Sequence, residues 1–202
     1  MTSKELLLWF NMMFPLVFSI GPGNVMFASF GARFGVKKSL PFLFGFDSVT
    51  VLLALLIGYG GTQLMSEYAT TFTYLKYAGA IYLIYLATLF FNASPYEEED
   101  TASSTTSPTF INGAIVQALN VKSLIVISLI FTTFLGTQPD TIDSNKILIL
   151  SGLLLVLALS CHLIWLYSGA WLAQQFASEK FNQIQNRVFS IMLVIVAIWI
   201  LI

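Results

Sequence analysis

The sequence predicts an all-α integral membrane protein with six transmembrane helices, arranged as two inverted repeats of three helices each. Three observations carry this prediction. Hydrophobic residues make up 57% of the 202 residues and charged residues only 9%, well below the roughly 25% typical of soluble domains. Long apolar blocks follow one another along the chain. A single polar linker divides these blocks into two equal sets.

The apolar blocks cover residues 6–32, 40–65, 72–92, 110–135, 147–171 and 184–202. Each block approaches the ~20 residues that a helix needs to cross the hydrocarbon core of a bilayer. Because lipid offers no partner to backbone polar groups, each spanning segment must satisfy its own by forming a helix. The N-terminal block stays apolar through Phe30 without a signal-peptide cleavage motif, so we interpret it as a retained membrane helix.

The linker at residues 93–109, ASPYEEEDTASSTTSPT, is acidic and rich in Ser and Thr, which is typical of a disordered connector. It separates a first repeat at residues 1–92 from a second repeat at residues 110–202. Because each repeat has an odd number of helices, the second would enter the membrane from the side opposite to the first. Inverted repeats of this kind are common in secondary transporters.

Lysine and arginine residues are divided unequally between the two predicted sides of the membrane. One side carries five of them and the other three: Arg33, Lys37, Lys38, Lys180 and Arg187 against Lys4, Lys76 and Lys146. Since cytoplasmic loops carry the excess of positive residues, the distribution favours both termini outside the cytoplasm. The net charge of −1 and the lack of an extended basic cluster indicate no nucleic-acid partner.

The first block is interrupted by the motif Gly21-Pro22-Gly23-Asn24. Proline removes a backbone donor and glycine tolerates non-helical geometry, so we expect a discontinuous helix whose second half starts near Pro22 or Gly23. The N–H groups and positive dipole end of such a half-helix suit an anion, such as a substrate carboxylate. A simple proline kink is the alternative interpretation.

The fourth block carries Asn120 and Lys122 about ten to twelve residues from its start, which in an ideal helix lies near the middle of the membrane. We therefore expect a discontinuous fourth helix as well. Each predicted repeat then has a polar interruption in its first helix at a comparable depth. Paired interruptions of this kind are the best sequence indication of a transporter's binding site.

Asp47 lies about seven residues inside the second block, in an otherwise uncharged stretch. A carboxylate at depth costs roughly 2.5–3.5 kcal/mol on insertion, so we expect it to face a partner, water or a transported ligand. It is a candidate for proton coupling or for binding a substrate ammonium, with a structural hydrogen bond to a neighbouring helix as the alternative. Lys122 is the other deep charge, and the two residues could neutralise each other.

Cys161 and His162 lie midway along the fifth block. A membrane histidine can relay protons or bind a metal, although it more often forms a hydrogen bond to a neighbouring helix. We interpret Cys161 as a small buried apolar residue.

These motifs resemble those of the lysine exporter and threonine/homoserine exporter (LysE/RhtB) family. The resemblance rests on six apolar blocks in about 200 residues, the Pro-Gly break, an Asn-x-Lys motif in the fourth block and the segment KYAGAIYLIYLA at 76–87. The family's Pro-Gly-Pro-Asn becomes Gly-Pro-Gly-Asn at 21–24, its Gly-Asp pair is separated by Phe46, and its Asn-Pro-Lys has Val121 in place of proline. These departures indicate a divergent member.

The resemblance implies a secondary active, proton-coupled exporter of amino acids or related small zwitterionic metabolites that works by alternating access. It implies a multi-pass protein of the bacterial cytoplasmic (inner) membrane, compatible with a homodimer, without a cofactor and without enzymatic activity. The expected site consists of Gly21, Pro22, Gly23, Asn24, Asn120 and Lys122 for the substrate and Asp47 for the proton. Export of a metal cation and a non-transporting role in a membrane assembly are the alternatives.

Overall fold

The computed structural model describes residues 1–60, 69–92, 108–135, 143–175 and 179–201. Within these ranges the chain is helical, as the sequence predicts, and short non-helical stretches occur only at helix ends and breaks. The helices are α1 (Ser3–Phe18), α2 (Pro22–Gly60), α3 (Ala69–Phe91), α4 (Phe110–Ala118), α5 (Val121–Leu135), α6 (Ser144–Gln175) and α7 (Glu179–Leu201).

The first apolar block is discontinuous, as expected. Helix α1 begins with a capping box between Thr2 and Glu5 and ends at Phe18, after which Ser19 is extended with φ −63° and ψ 156°. Helix α2 begins at Pro22, a position where proline is well tolerated because the first N–H groups of a helix have no intrahelical acceptor. The local chemistry of the motif therefore accounts for the break.

Helix α2 contains a second change of direction at Gly35, where φ is 74° and ψ is 168°. This left-handed φ is readily available to glycine, and it divides α2 into segments 22–34 and 36–60. The second segment is helical from residue 36, ahead of the apolar block that starts at residue 40. Hydropathy indicates depth in the membrane and does not mark the helix boundary.

The fourth apolar block is also discontinuous, although it lacks a proline. Helix α4 ends at Ala118, α5 begins at Val121, and the two are bent by 64°. The side chain of Asn120 takes the place of a helical acceptor, because its Oδ1 accepts a hydrogen bond from the Ser123 N–H at 3.3 Å. Asparagine is among the residues best suited to begin a helix in this way.

Two of the described helices, α2 and α6, are long and apolar enough to cross a membrane, and the bent pair α4–α5 makes a third if it counts as one span. Shorter apolar stretches lie in α3 and α7, at Tyr77–Leu89 and Asn186–Ile198. The count of six spans and the inverted relation of the two repeats remain predictions. Most of the predicted linker, residues 93–107, lies outside the described residues.

Helix α2 is the centre of the packing, with its most extensive contacts to α6 and then to α4, while α3 packs against α7. The crossing of α2 and α6 depends on two glycines. A Cβ on Gly31 would collide with the carbonyl oxygen of Leu166, and a Cβ on Gly169 would collide with that of Ala28. Small residues allow membrane helices to approach closely, and here each helix contributes one.

The crossing of α2 and α4 follows the same rule. A Cβ on Gly45 would collide with the carbonyl oxygen of Phe110, and a Cβ on Gly113 with that of Phe42. These two crossings hold α4 and α6 tightly against α2. The break between α4 and α5 therefore lies beside the break between α1 and α2.

Candidate functional site

The two helix breaks line one cavity of about 60 Å³. Its walls come from the end of α1, both ends of the first break, α2, the α4–α5 break and α6. This volume is far below the roughly 300–1,000 Å³ of typical ligand pockets. The lining includes the predicted substrate-binding residues Gly21, Pro22, Gly23, Asn24, Asn120 and Lys122.

The C-terminal carbonyls of α1 are bound by two of these side chains. Asn24 Nδ2 donates to the carbonyl oxygens of Val17 and Ser19, both at 2.9 Å. Lys122 Nζ, from α5, donates to the same Ser19 oxygen at 2.8 Å. The last carbonyls of a helix have no intrahelical donor and carry partial negative charge, so an amide and an ammonium group are suitable partners there.

Glycine at positions 21 and 23 leaves room for two neighbouring side chains. A Cβ on Gly21 would lie 2.8 Å from Lys122 Cδ, and one on Gly23 would lie 2.5 Å from Phe46 Cζ. Because these two positions have no side chain, Lys122 can reach the end of α1 and the ring of Phe46 can pack against Gly23.

A buried amide network surrounds the second break. Gln117, which is 0% exposed, donates from Nε2 to Thr50 Oγ1 at 2.8 Å and to Ser123 Oγ at 2.6 Å. Its Oε1 accepts from Asn120 Nδ2 at 3.1 Å. Gln117 thereby joins α2, α4 and α5. The sequence analysis missed this residue, although an amide one helical turn before Asn120 in an apolar block is a usable signal.

Asp47 on α2 pairs with His162 on α6. The distance from Asp47 Oδ1 to His162 Nδ1 is 2.9 Å, and the two residues are only 4% and 6% exposed. The imidazole stacks on Phe27, with ring centroids 4.4 Å apart, and meets the ring of Phe46 at 79° and 4.9 Å. Two aromatic rings thus fix the orientation of His162 against the carboxylate.

Asp47 and Lys122, which could have neutralised each other, have different partners in the structure. Lys122 reaches the Ser19 carbonyl, while the ion-pair partner of Asp47 within the described ranges is His162. The choice depends on how α2 faces α6, which no local pattern in the sequence specifies. Cys161 is fully buried, as expected, but its Sγ also lies 3.5 Å from the Val17 carbonyl oxygen and 3.6 Å from Asn24 Oδ1.

The model of one protein family, the LysE type translocators, matches residues 14–202 of the chain. The chain belongs to the LysE type translocator family. The resemblance found in the sequence is thereby confirmed. LysE type translocators are transporters and not enzymes, and membership implies export of amino acids or related small molecules.

Two bacterial membrane proteins are similar to this LysE type translocator. YrhP, an uncharacterized membrane protein of Bacillus subtilis, is 26% identical over 176 residues, which cover 82% of this chain and 81% of the relative. An uncharacterized membrane protein of Vibrio cholerae serotype O1 is 26% identical over 129 residues, covering 62% and 63% of the two chains. No solved structure matches the chain.

Two of the motif departures noted in the sequence lie at the cavity, whereas the third, Val121, is not among its lining residues. The first is the motif that contains Gly21 and Gly23, where a Cβ would meet Lys122 and Phe46. Phe46 is also the residue that separates the family's Gly-Asp pair. Two departures that lie far apart in the sequence are therefore in contact in the fold.

Proposed function

We propose that the protein is a secondary active exporter of amino acids or closely related zwitterionic metabolites, driven by the proton gradient across the bacterial cytoplasmic membrane. The observation that carries this proposal is that both helix breaks line one cavity, with a buried carboxylate–imidazole pair at its side. Polar breaks at the middle of paired helices are the arrangement that secondary transporters use to bind substrates.

The charges around the first break favour a zwitterion. The first N–H groups of α2, near Gly23 and Asn24, form a positive helix end, and Lys122 adds a full positive charge beside them. The last carbonyls of α1, at Val17 and Ser19, form a negative helix end a few residues away. A carboxylate fits the first group and an ammonium fits the second, where it would displace Lys122 and Asn24 from the carbonyls.

The small volume of the cavity supports a transport cycle with a contracted state. A cavity of about 60 Å³ must enlarge before it admits an amino acid, and enlargement towards one side at a time is the essence of alternating access. We propose that the repeats at residues 1–92 and 110–202 move relative to each other about the two breaks. Lys122, which reaches from α5 to the end of α1, links the two repeats in the contracted state.

Asp47 is the proposed coupling residue. It is buried, it lies on the helix that begins at the first break, and its neighbour is an imidazole, a group that can itself bind a proton. Ionisable residues within membrane segments commonly serve as proton relays in transporters. Because Asp47 is not among the residues that line the cavity, its position supports a role with the proton over direct contact with a substrate ammonium.

The test is flux in liposomes with an imposed pH gradient, with labelled amino acids and close analogues as substrates. Asp47→Asn is expected to abolish gradient-driven accumulation. Asp143→Asn is the matched control, because it makes the same chemical change at an exposed residue. The Asp143 side chain caps α6 by accepting a hydrogen bond from the Lys146 N–H at 3.0 Å. Asparagine can accept the same hydrogen bond. Full gradient-driven accumulation by Asp47→Asn would remove that residue from the mechanism.

The same experiment addresses the alternatives. Folded wild-type protein that moves no zwitterion would refute the substrate class and favour a metal cation or a non-transporting assembly role. A metal exporter needs several converging ligands, and the described residues contain no group of three or more His, Cys, Asp or Glu side chains placed to hold a metal ion.

A further inference from the structure

We propose that His162 is the group that exchanges the coupling proton with the cavity, and that Asp47 acts behind it as a buried partner. The inference rests on the proposed proton-coupled export and specifies which residue meets the proton. It assigns a transport role to a histidine for which the sequence favoured a structural one.

The positions of the two residues relative to the cavity carry the argument. His162 is among the residues that line it, whereas Asp47 is not. The imidazole turns Nδ1 towards Asp47 Oδ1 at 2.9 Å, and stacking on Phe27 together with an edge contact to Phe46 holds the ring in this orientation. The second ring nitrogen, Nε2, is then the one left to accept a proton from the cavity that His162 lines.

The burial of Asp47 makes the pair suited to bind a proton. Neither carboxylate oxygen accepts a hydrogen bond of acceptable geometry from the residues that the structure describes, so the ion-pair contact with His162 is its main electrostatic partner there. A buried charge without a counter-charge is costly, and pairing offsets much of that cost. When the imidazole takes up a proton at Nε2, the pair changes from a net charge of −1 to neutral, and release restores the −1 state.

The other titratable groups around His162 come from its own helix and from α5. Cys161 adjoins it on α6 and donates towards Val17 and Asn24, and Lys122 lines the same cavity with its Nζ on the Ser19 carbonyl. Helix α4 presents the neutral amide of Gln117. A proton on His162 therefore changes the charge on the wall of the cavity that Lys122 also lines, so substrate binding should depend on pH.

His162→Gln is the main test, because glutamine keeps a polar N–H group near Asp47 but cannot carry the proton. In liposomes we expect gradient-driven accumulation to fall at least tenfold, while exchange of labelled for unlabelled substrate at equal pH continues and loses its dependence on pH. A merely structural role would reduce both activities together and leave the pH profile of the residual exchange unchanged. Wild-type accumulation and pH profile in His162→Gln would overturn the assignment and leave proton-coupled export standing. Wild-type flux without gradient dependence would overturn proton coupling itself.

A second measurement uses the wild-type protein and so does not depend on the variant's folding. His162 is the single histidine of the sequence, so the carbethoxy-imidazole that diethyl pyrocarbonate forms with neutral imidazole, identified by peptide mapping, reports on it in protein purified without a histidine tag. We expect modification to increase with pH, to stop gradient-driven transport and to be slowed by transported substrate. Modification that leaves transport intact would contradict the proposal.

Discussion

The crossing of α2 and α6 sets the distance between Asp47 and His162. Adding a single methyl group at the crossing tests this. Gly169→Ala adds a methyl group that would collide with the backbone carbonyl oxygen of Ala28. Because backbone cannot rotate away as a side chain can, the helices must separate. His162 lies seven residues before Gly169, two turns or about 10.5 Å along the same face, so a separation at Gly169 also displaces the imidazole from Asp47.

Gly152→Ala provides the matched control on the same helix. A Cβ at Gly152 meets nothing within 4 Å. Both substitutions gain the same roughly 0.5–1 kcal/mol of helix propensity, and this gain cancels when the two variants are compared. The remaining difference is the overpacking term, typically about 1–3 kcal/mol. We expect the upper end of that range, because the opposing atom belongs to the backbone.

The free energy of unfolding of both variants in detergent micelles measures this difference, and flux in liposomes measures its consequence. Gly169→Ala should be less stable than Gly152→Ala by about 3 kcal/mol and should lose gradient-driven accumulation, while Gly152→Ala should match or exceed wild-type stability and transport normally. Equal stability of the two variants would refute the tight crossing. A destabilised Gly169→Ala with full coupling would refute the link from the crossing to the Asp47–His162 pair.

Two further predictions concern the polar groups of the cavity. Gln117→Leu breaks three hydrogen bonds, each worth about 0.6 kcal/mol in a membrane protein. It should therefore lower the free energy of unfolding in micelles by about 2 kcal/mol. An equal loss of stability in Gln175→Leu, the control at an exposed residue, would contradict this. Lys122→Met removes a charged hydrogen-bond donor worth roughly 1.5–3 kcal/mol and should raise the KM for a zwitterion about tenfold or more. The control Lys146→Met breaks the partly exposed 3.4 Å ion pair with Glu5 and should leave the KM unchanged.

Much of the helical structure could be predicted from the sequence, because its causes are local. Apolar length predicts helices, and the Gly-Pro-Gly-Asn motif predicts a break between α1 and α2 through the ring of Pro22 and the freedom of the flanking glycines. Asn120 and Lys122 predict the second break as a polar interruption of an apolar block, and the structure adds that Asn120 caps α5. These properties belong to short stretches of chain and act wherever the stretch is placed. The depth of Asp47 also follows from counting residues inside an apolar block.

The composition of the site was predictable only in part. The break residues line the cavity, as expected, because polar groups that interrupt membrane helices need polar surroundings. Gln117 was missed, since a single amide in an apolar block reveals its importance only when its partners on two other helices are known. The role of Gly21 and Gly23 as spaces for Lys122 and Phe46 was likewise invisible, because the atoms that fill those spaces come from distant parts of the chain.

The sequence by itself determined that this is a helical membrane protein, that two of its apolar blocks break and that these blocks carry a carboxylate and an ammonium. Only the tertiary structure decided that the carboxylate pairs with His162 and that the ammonium binds the end of α1. The physical reason is that a pairing of side chains on different helices depends on the rotation and distance of those helices. At the α2–α6 crossing both are set by the contact of Gly31 and Gly169 with the opposing backbone.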